Sequence, residues 1–376
     1  MKRVPIDEYC EKKISTLSPQ YKGSIDYIDI SSVDNLEKKI INIQQLTTEE
    51  APSRAKQLLQ VGDILVSTVR PNLNAVAMVE QNSKNILVGS TGYCVLRCKN
   101  NINNRYVFHF CQSLYFVDDM VKQATGASYP AVNSNIVKNS LIPEYTEEKQ
   151  NEIVITLDKT DNLIYERKKQ LLKLDELVKA RFVEMFGNVD KEDILINLCN
   201  FIDYRGKTPE KVESGLPFIT AKNIKMHYMS FDTQEFISKE TYDKVMTRGF
   251  PRIGDVVFTT EAPLGNVCRI PYIDTEFYIG QRIITMQTEC LEPAYLEYAL
   301  SSEEFKRKLI EKSSGSTVTG IRSKLLEQLT IPVPNMEMQK QFADFVKQID
   351  KSKFEVQQSL EKLETLKKSL MQQYFG

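Results

Sequence analysis

The sequence predicts a mixed α/β fold, α+β in detail, in which two similar domains alternate with two long helices. Three observations carry this. The stretch from Ile331 to Gly376 repeats, without a gap, the stretch from Ile142 to Gly187, so the chain is a tandem duplication. The first copy has neither Pro nor Gly between Glu147 and Phe186, with both breakers at its ends (Pro143, Gly187). Short runs of β-branched residues precede each copy in the same order.

The repeat is visible residue by residue. Ile142 and Pro143 fall on Ile331 and Pro332, Glu148 and Gln150 on Glu337 and Gln339, and Phe186-Gly187 on Phe375-Gly376. Ile153, Leu157, Ile164, Leu171, Leu174 and Val178 recur at three, four or seven residues among charged neighbours. Phe342, Val346, Ile349, Val356, Leu360, Leu363 and Leu370 do so in the second copy. Such a narrow apolar seam suits a partner helix better than a broad globular core. Two rods of this kind most simply pair with each other; the alternative is that each packs on its own domain. Antiparallel pairing, as a coiled coil, would relate the halves by a pseudo-two-fold. The expected segments are 1–145, a mixed domain; 146–187, a helix; 188–333, the second mixed domain; and 334–376, the second helix.

Composition is that of an ordinary soluble protein, with 376 residues, 26% charged and 41% hydrophobic. No apolar run approaches a membrane span, and the N-terminus lacks the apolar core of a signal peptide. Seven cysteines at irregular spacing argue for a reducing compartment, so the expected location is cytoplasmic, with no membrane association. Lys and Arg number 49 against 50 Asp and Glu. A stand-alone nucleic-acid binder usually carries a basic excess, because phosphate neutralisation supplies much of its affinity. Nucleic-acid binding here would need basic residues gathered on one face, or charge supplied by partners.

In the first domain, Tyr27-Ile-Asp-Ile30, Asp63 to Val69, Ala75 to Val79 and Tyr93 to Leu96 read as strands. Asn104 to Gln123 reads as one helix, followed by a polar segment from Thr125 to Ser134. The second domain repeats the order: Pro217 to Ala221, Gly254 to Thr260, Ile283 to Met286, a helix from Tyr295 to Lys312, and a polar segment from Ser314 to Gly320. The polar loops differ most, Val69-Arg-Pro-Asn-Leu-Asn74 against Glu261-Ala-Pro-Leu-Gly-Asn266. Two recognition modules with different targets would look like this, and so would unconstrained surface drift.

No catalytic constellation emerges. The two histidines are His109, inside an apolar helix and expected to be a packing residue, and His227, with no evident partner. Cys94 and Cys98 lack a second pair, which argues against a zinc site. There is no phosphate-binding P-loop, dinucleotide fingerprint or nucleophile elbow. Asp63 and Asp255 each follow Gly at a strand start, and turn formation explains them better than a metal site. No metal ligand is expected.

What recurs is hydrogen-bonding chemistry at strand ends. Ser67, Thr68, Arg70, Asn72 and Asn74 cluster beyond one strand, and Thr259, Thr260 and Asn266 stand at the equivalent place. Ser90 and Thr91 precede the next strand in the first half, as Gln281 and Arg282 do in the second. Ser128 and Tyr129, and Ser316 and Thr317, lie in the two polar segments. Arg54 and Lys56, and in the second half Arg205, Lys207, Lys222, Asn223, Lys225, Arg322 and Lys324, add further polar and cationic candidates. Arg is suited to guanine and Asn or Gln to adenine in the major groove, while hydroxyls and small loops suit phosphates. Each residue taken singly is also an ordinary solvated one; their recurrence at equivalent places carries the expectation.

The run Gly62 to Asn74, the proline-containing entry to each rod with Glu and Gln following, and the Ala180-Arg-Phe-Val-Glu-Met-Phe-Gly187 ending resemble the specificity subunits of type I restriction-modification systems. The resemblance covers essentially the whole chain, with one departure: Glu144-Tyr145 stands where the second half has Val333-Pro334. It implies a non-catalytic subunit whose two target recognition domains each read half of a split double-stranded DNA target, with the helices holding them apart. It further implies two methylation subunits that bind S-adenosylmethionine, and optional restriction subunits that use ATP and Mg²⁺, with no cofactor on this chain. The alternatives are a recognition subunit of a methyltransferase-only complex, a methyltransferase in its own right, and a helical spacer. The methyltransferase would need an Asn/Asp-Pro-Pro-Tyr/Phe loop, which the sequence lacks. The spacer would not need variable loops on two copied domains.

Overall fold

The computed structural model of the protein describes residues 2–204, 206, 208–280, 282–313 and 320–376. It divides into two compact units, Met1–Lys168 with Gln358–Gly376, and Lys169–Gln357. These units do not coincide with the four segments read from the sequence, because the boundary cuts through both long helices, Glu147–Phe186 and Met336–Phe375. Each unit therefore holds one mixed domain, the start of one long helix and the end of the other.

In the first unit, strand Ile64–Ser67 lies between Tyr93–Leu96 and Val76–Met78, antiparallel to both, with Ile64 opposite Leu96 and Ser67 opposite Tyr93. The central strand is an unbroken apolar run because both its faces are buried. Ile64 and Val66 face the core that contains Tyr106, Phe110, Ile153, Leu157 and Phe375. Leu65 faces Ala77, Val79, Tyr93 and Val95 on the other side. A second sheet runs in the order Gln44–Thr47, Ser24–Ile28, Ile86–Ser90, Ala55–Leu58, its middle pair parallel. Strand Arg3–Pro5 pairs with Leu141–Pro143 just before the long helix. Within this unit the two long helices are antiparallel: Lys367 pairs with Asp161 at 2.6 Å, while Met371 and Phe375 share a core with Leu157 and Ile153.

The second unit repeats the plan. Strand Val256–Thr259 lies between Ile283–Gln287 and Val267–Arg269, with Val256 opposite Met286 and Thr259 opposite Ile283, the same register as in the first unit. Val256 and Phe258 face the core of Phe182, Phe186, Tyr295 and Phe342, and Val257 faces Ile219, Cys268 and Ile279. Strand Leu216–Ile219 is parallel to Tyr278–Ile279, as Ser24–Ile28 is to Ile86–Ser90. Here too the long helices are antiparallel, Lys353 to Asp175 at 2.5 Å and Phe342 against Phe182 and Phe186.

The duplicated polar residues are explained by what they staple. Gln150 accepts from the Asn103 amide and donates to the Tyr145 carbonyl; Gln339 accepts from the Glu292 amide and donates to the Pro334 carbonyl. Both are buried, and each joins a helix start to its own domain. Tyr106 and Tyr295 donate their hydroxyls to the carbonyls of Pro143 and Pro332, tying the proline entries down. Asp63 and Asp255 close turns, each accepting from an amide three residues earlier, and each is also held from the neighbouring strand, Asp63 by both arms of Arg97 and Asp255 by Gln287.

One expectation is corrected in both units. The single helices read at Asn104–Gln123 and Tyr295–Lys312 are each two helices, Asn104–Phe110 with Leu114–Gln123, and Pro293–Ser301 with Glu303–Lys312. Ser113 and Ser302 break them, their hydroxyls accepting hydrogen bonds from the amides of Phe116 and Phe305. A serine cap satisfies an otherwise unpaired amide, and that outweighs continuous helical spacing.

Candidate nucleic-acid interface

The polar strand ends are built by backbone bonds on the same atoms in both units. The Thr68 amide donates to the Gly92 carbonyl, and the Val132 amide donates to the Thr68 carbonyl, both at 2.9 Å. Likewise the Thr260 amide donates to the Arg282 carbonyl at 2.9 Å, and the Ile321 amide to the Thr260 carbonyl at 3.0 Å. Three loops thus meet at one ledge beyond each central strand.

In the first unit the ledge continues through a left-handed Arg70 (φ 50°), a single turn Pro71–Leu73 and a left-handed Asn74 (φ 47°). Non-glycine residues in this region carry strain and gather at functional sites. The Arg70 amide donates to the Pro130 carbonyl at 2.7 Å, which brings the polar segment alongside. The exposed Arg70 guanidinium then lies 4.7 Å from the centre of the exposed Tyr129 ring. Asn72, Thr91 and Ser128 are exposed around it, and Lys56 is exposed nearby in sequence to Arg54. Arg54 is held by Asp29 at 2.8 Å.

Several residues expected at this interface are committed to the protein itself. Asn74 donates to the Cys111 carbonyl at 2.8 Å and accepts from Lys38 at 2.7 Å. Burial first, and then neighbouring Lys367, push the Lys38 amine down to about 8. Asn223 is buried, accepts from the Thr220 amide and hydroxyl, and donates to the Ser230 and Thr233 carbonyls. It has no bonding edge left for a base. Ser67 donates to Val69, Thr68 to Gly92 and Thr259 to Pro263, closing loops internally, and the buried Ser90 accepts from the Gly92 amide. Burial withdraws Ser67, Ser90, Asn223 and Thr259 as direct contacts, while the half-buried Thr68 and Asn74 spend their donors within the scaffold. Thr260 is fully buried, and its hydroxyl finds no partner among the described residues.

In the second unit Arg282 is exposed and left-handed (φ 73°), with Glu261 at 3.4 Å from its Nε. Lys222 is exposed near Glu235 at 3.8 Å, Lys225 is half-buried, and Arg322 and Lys324 are exposed around the turn that follows Gly320. Arg205, Lys207, Gln281, Ser316 and Thr317 lie outside the described residues.

Sequence reasoning missed the tie between each domain and the long helices. His109 is fully buried, with Nε2 2.7 Å from Asp158 on the first long helix, and Arg105 grips the same carboxylate at 2.6 and 3.0 Å. In the second unit His227 Nδ1 lies 2.9 Å from Glu297, its ring stacked on Tyr298 at 4.3 Å. Arg269 links Glu297, at 2.5 Å, to Asp350 on the second long helix, at 3.0 Å. His109 is therefore buried as expected, but hydrogen-bonded, and His227 does have a partner. Only the rarity of histidine in the chain could have signalled either.

Among the described residues no group of His, Cys, Asp and Glu could hold a metal ion, and no helix is long and apolar enough to cross a membrane.

The family model described as type I restriction modification DNA specificity domain matches residues 3–174 and again 195–367. The chain is 26% identical to the type I restriction enzyme MjaVIII specificity subunit of Methanocaldococcus jannaschii, over 73% of this chain and 70% of that protein. It is also 26% identical to the putative MjaX specificity subunit of the same organism, over 94% and 87%. Among solved structures, one reported for complex assembly and conformational transition of the type I R-M system has a TM-score of 0.64 at 23% identity, covering 100% of this chain and 97% of that one. The type I system S subunit from M. genitalium has a TM-score of 0.59 at 15% identity, covering 100% and 96%. With two such domains over nearly its whole length, the chain belongs to the type I restriction-modification DNA specificity family, as a non-catalytic, target-recognising specificity subunit.

Proposed function

We propose that each unit reads one half of a two-part double-stranded DNA target through its ledge of loops, and that the long helices fix the unread gap. The observation that carries this is the pair of ledges, built on identical backbone bonds but presenting different side chains. In this reading the DNA contacts of the first unit come from Arg70, Asn72, Thr91, Ser128 and Tyr129, with Arg54 and Lys56 toward phosphates. Those of the second come from Arg282, Lys222, Lys225, Arg322 and Lys324. The chain works with two methylation subunits, and two restriction subunits can join. S-adenosylmethionine, ATP and Mg²⁺ belong to those partners, and the complex acts in the cytoplasm.

Shared DNA contact also accounts for the even charge of this chain: partners contribute part of the phosphate neutralisation. The test is exchange of residues 1–145 for the matching segment of a homologue, followed by mapping of methylated sites in cells. One half of the methylated motif should change and the other persist. A change in both halves would show that the two units are not independent readers.

A further inference from the structure

The matching backbone bonds and strand registers of the two ledges make Arg70 equivalent to Ala262, and Gly92 equivalent to Arg282. Thr68 and Thr260 begin the matching loops, each followed two residues on by Arg70 or Ala262 and three on by Pro71 or Pro263. The carbonyls that cap the two threonine amides belong to Gly92 and Arg282. Each ledge therefore carries one arginine at these two places, but not at the same one. Both arginines are exposed and left-handed, and each has a different side chain set against its guanidinium.

We propose that Arg70 and Arg282 are the specificity-determining side chains of their units, with Tyr129 and Glu261 as positioning residues that fix where each guanidinium points. This rests on the DNA-reading function above. The Tyr129 ring lies 4.7 Å from Arg70 Cζ and so restrains where the planar N–H fork of the guanidinium can swing. That planar fork is what pairs with O6 and N7 of guanine. Glu261 engages Arg282 at Nε and leaves the terminal nitrogens to do the same from the neighbouring loop. Moving the arginine from one loop to another, while keeping the ledge, shifts which base step it reaches.

The experiment is selection from a duplex library randomised across the target, by the full chain co-purified with its partner subunits, at two salt concentrations. R70A should lose preference at one position in one half-target, by roughly 5- to 150-fold, the range of one bidentate base contact. R282A should do so in the other half. R70K keeps the charge without the planar fork, so it should lose discrimination while retaining non-specific binding. Y129A should weaken the Arg70 preference and Y129F preserve it, both at unchanged melting temperature. E261Q should alter the second half only. The proposal is overturned if R70A weakens binding to all sequences equally and lowers the salt slope, which marks a phosphate contact. It is equally overturned if Y129F behaves as Y129A, or if R70A and R282A affect the same half. If the wild-type chain selects no two-part motif, the DNA-reading function itself fails; if it selects one that R70A and R282A leave intact, only this inference does.

Discussion

Asp158→Asn should loosen the first unit at the junction between its domain and the long helix, and nowhere else. Asp158 accepts three hydrogen bonds, two from Arg105 and one from His109. Asparagine offers one oxygen and turns its amide toward donors. Breaking a buried ion pair costs about 3–5 kcal/mol. The Asp158 side chain is 25% exposed and that of Arg105 39%, so water recovers part of the loss. We expect about 2–3 kcal/mol after that discount. At about 1.4 kcal/mol per factor of ten, amide exchange through local opening should quicken by roughly 30- to 150-fold. Peptide-resolved hydrogen exchange would show this in Asn104–Phe110 and residues 147–168, with residues 169–357 unchanged. The acid limb supplies a second readout. Burial raises the Asp158 carboxyl, but the bonds from His109 and Arg105 more than offset it and hold the group below its ordinary value. A depressed carboxylate contributes stability above its unfolded value of about 3.9, and that stability is lost as pH falls through the folded value. Wild type should therefore lose this component as pH falls below about 4, and the variant, which lacks it at every pH, should show a shallower acid limb. Less than about a threefold change in exchange, or equal change in both units, would refute the reasoning.

Phe342→Ala should cost about 3–5 kcal/mol in the second unit, because the ring is fully buried and packed edge-on against Phe182, Phe186 and Tyr298; a loss under about 1 kcal/mol in denaturant unfolding would contradict that packing. Asn223→Ala should destabilise the second unit by about 1–3 kcal/mol while leaving the methylated motif unaltered, and a changed motif would return Asn223 to the interface. Lys38 should titrate near 8 when followed by NMR of methyl-labelled lysines. Its folded value is depressed, so stability should rise with pH between there and the unfolded value of about 10.4; a midpoint near the unfolded value would show the amine to be solvated.

The long helices were legible because their seam is local: Ile153, Leu157, Leu174 and Val178 sit at helical spacing, and all four pack in or against the cores. The central strands were legible because a run buried on both faces stays apolar throughout, as Ile64-Leu-Val66 does. The cap serines were not, since Ser113 and Ser302 interrupt a helical pattern that continues on either side. The site was legible only as hydrogen-bonding capacity. Asn72 and Asn74 look alike in sequence, yet one is exposed and the other is consumed by Cys111 and Lys38, 37 and 36 residues away. A sequence shows that a side chain can bond, but whether its bonds are already made depends on chain segments that only the fold brings near. The same distance concealed the carboxylates that meet His109 and His227, 49 and 70 residues off.

That division explains why the two halves could diverge where they did. Each ledge is joined by the backbone groups of Thr68 or Thr260, which any non-proline residue supplies, and the loops are closed by the less exposed Ser67, Thr68, Asn74 and Thr259, so the exposed side chains of Arg70, Thr91 and Arg282 are released from that work. At the place of Gly92 the second unit carries Arg282 on the same backbone bond. The junctions with the long helices show the converse. There the side chains themselves hold the parts together, yet the carboxylate is Asp158 on a long helix in one unit and Glu297 on a domain helix in the other. In each case the histidine and arginine meet one carboxylate, although every residue has changed position. Selection on such a junction acts on the cluster as a whole, because removing one member strands the others in a half-buried site. The exposed side chains of the ledge do not hold the scaffold together, so they can be replaced without loosening it. A recognition surface that must acquire new targets without unfolding its scaffold requires that separation.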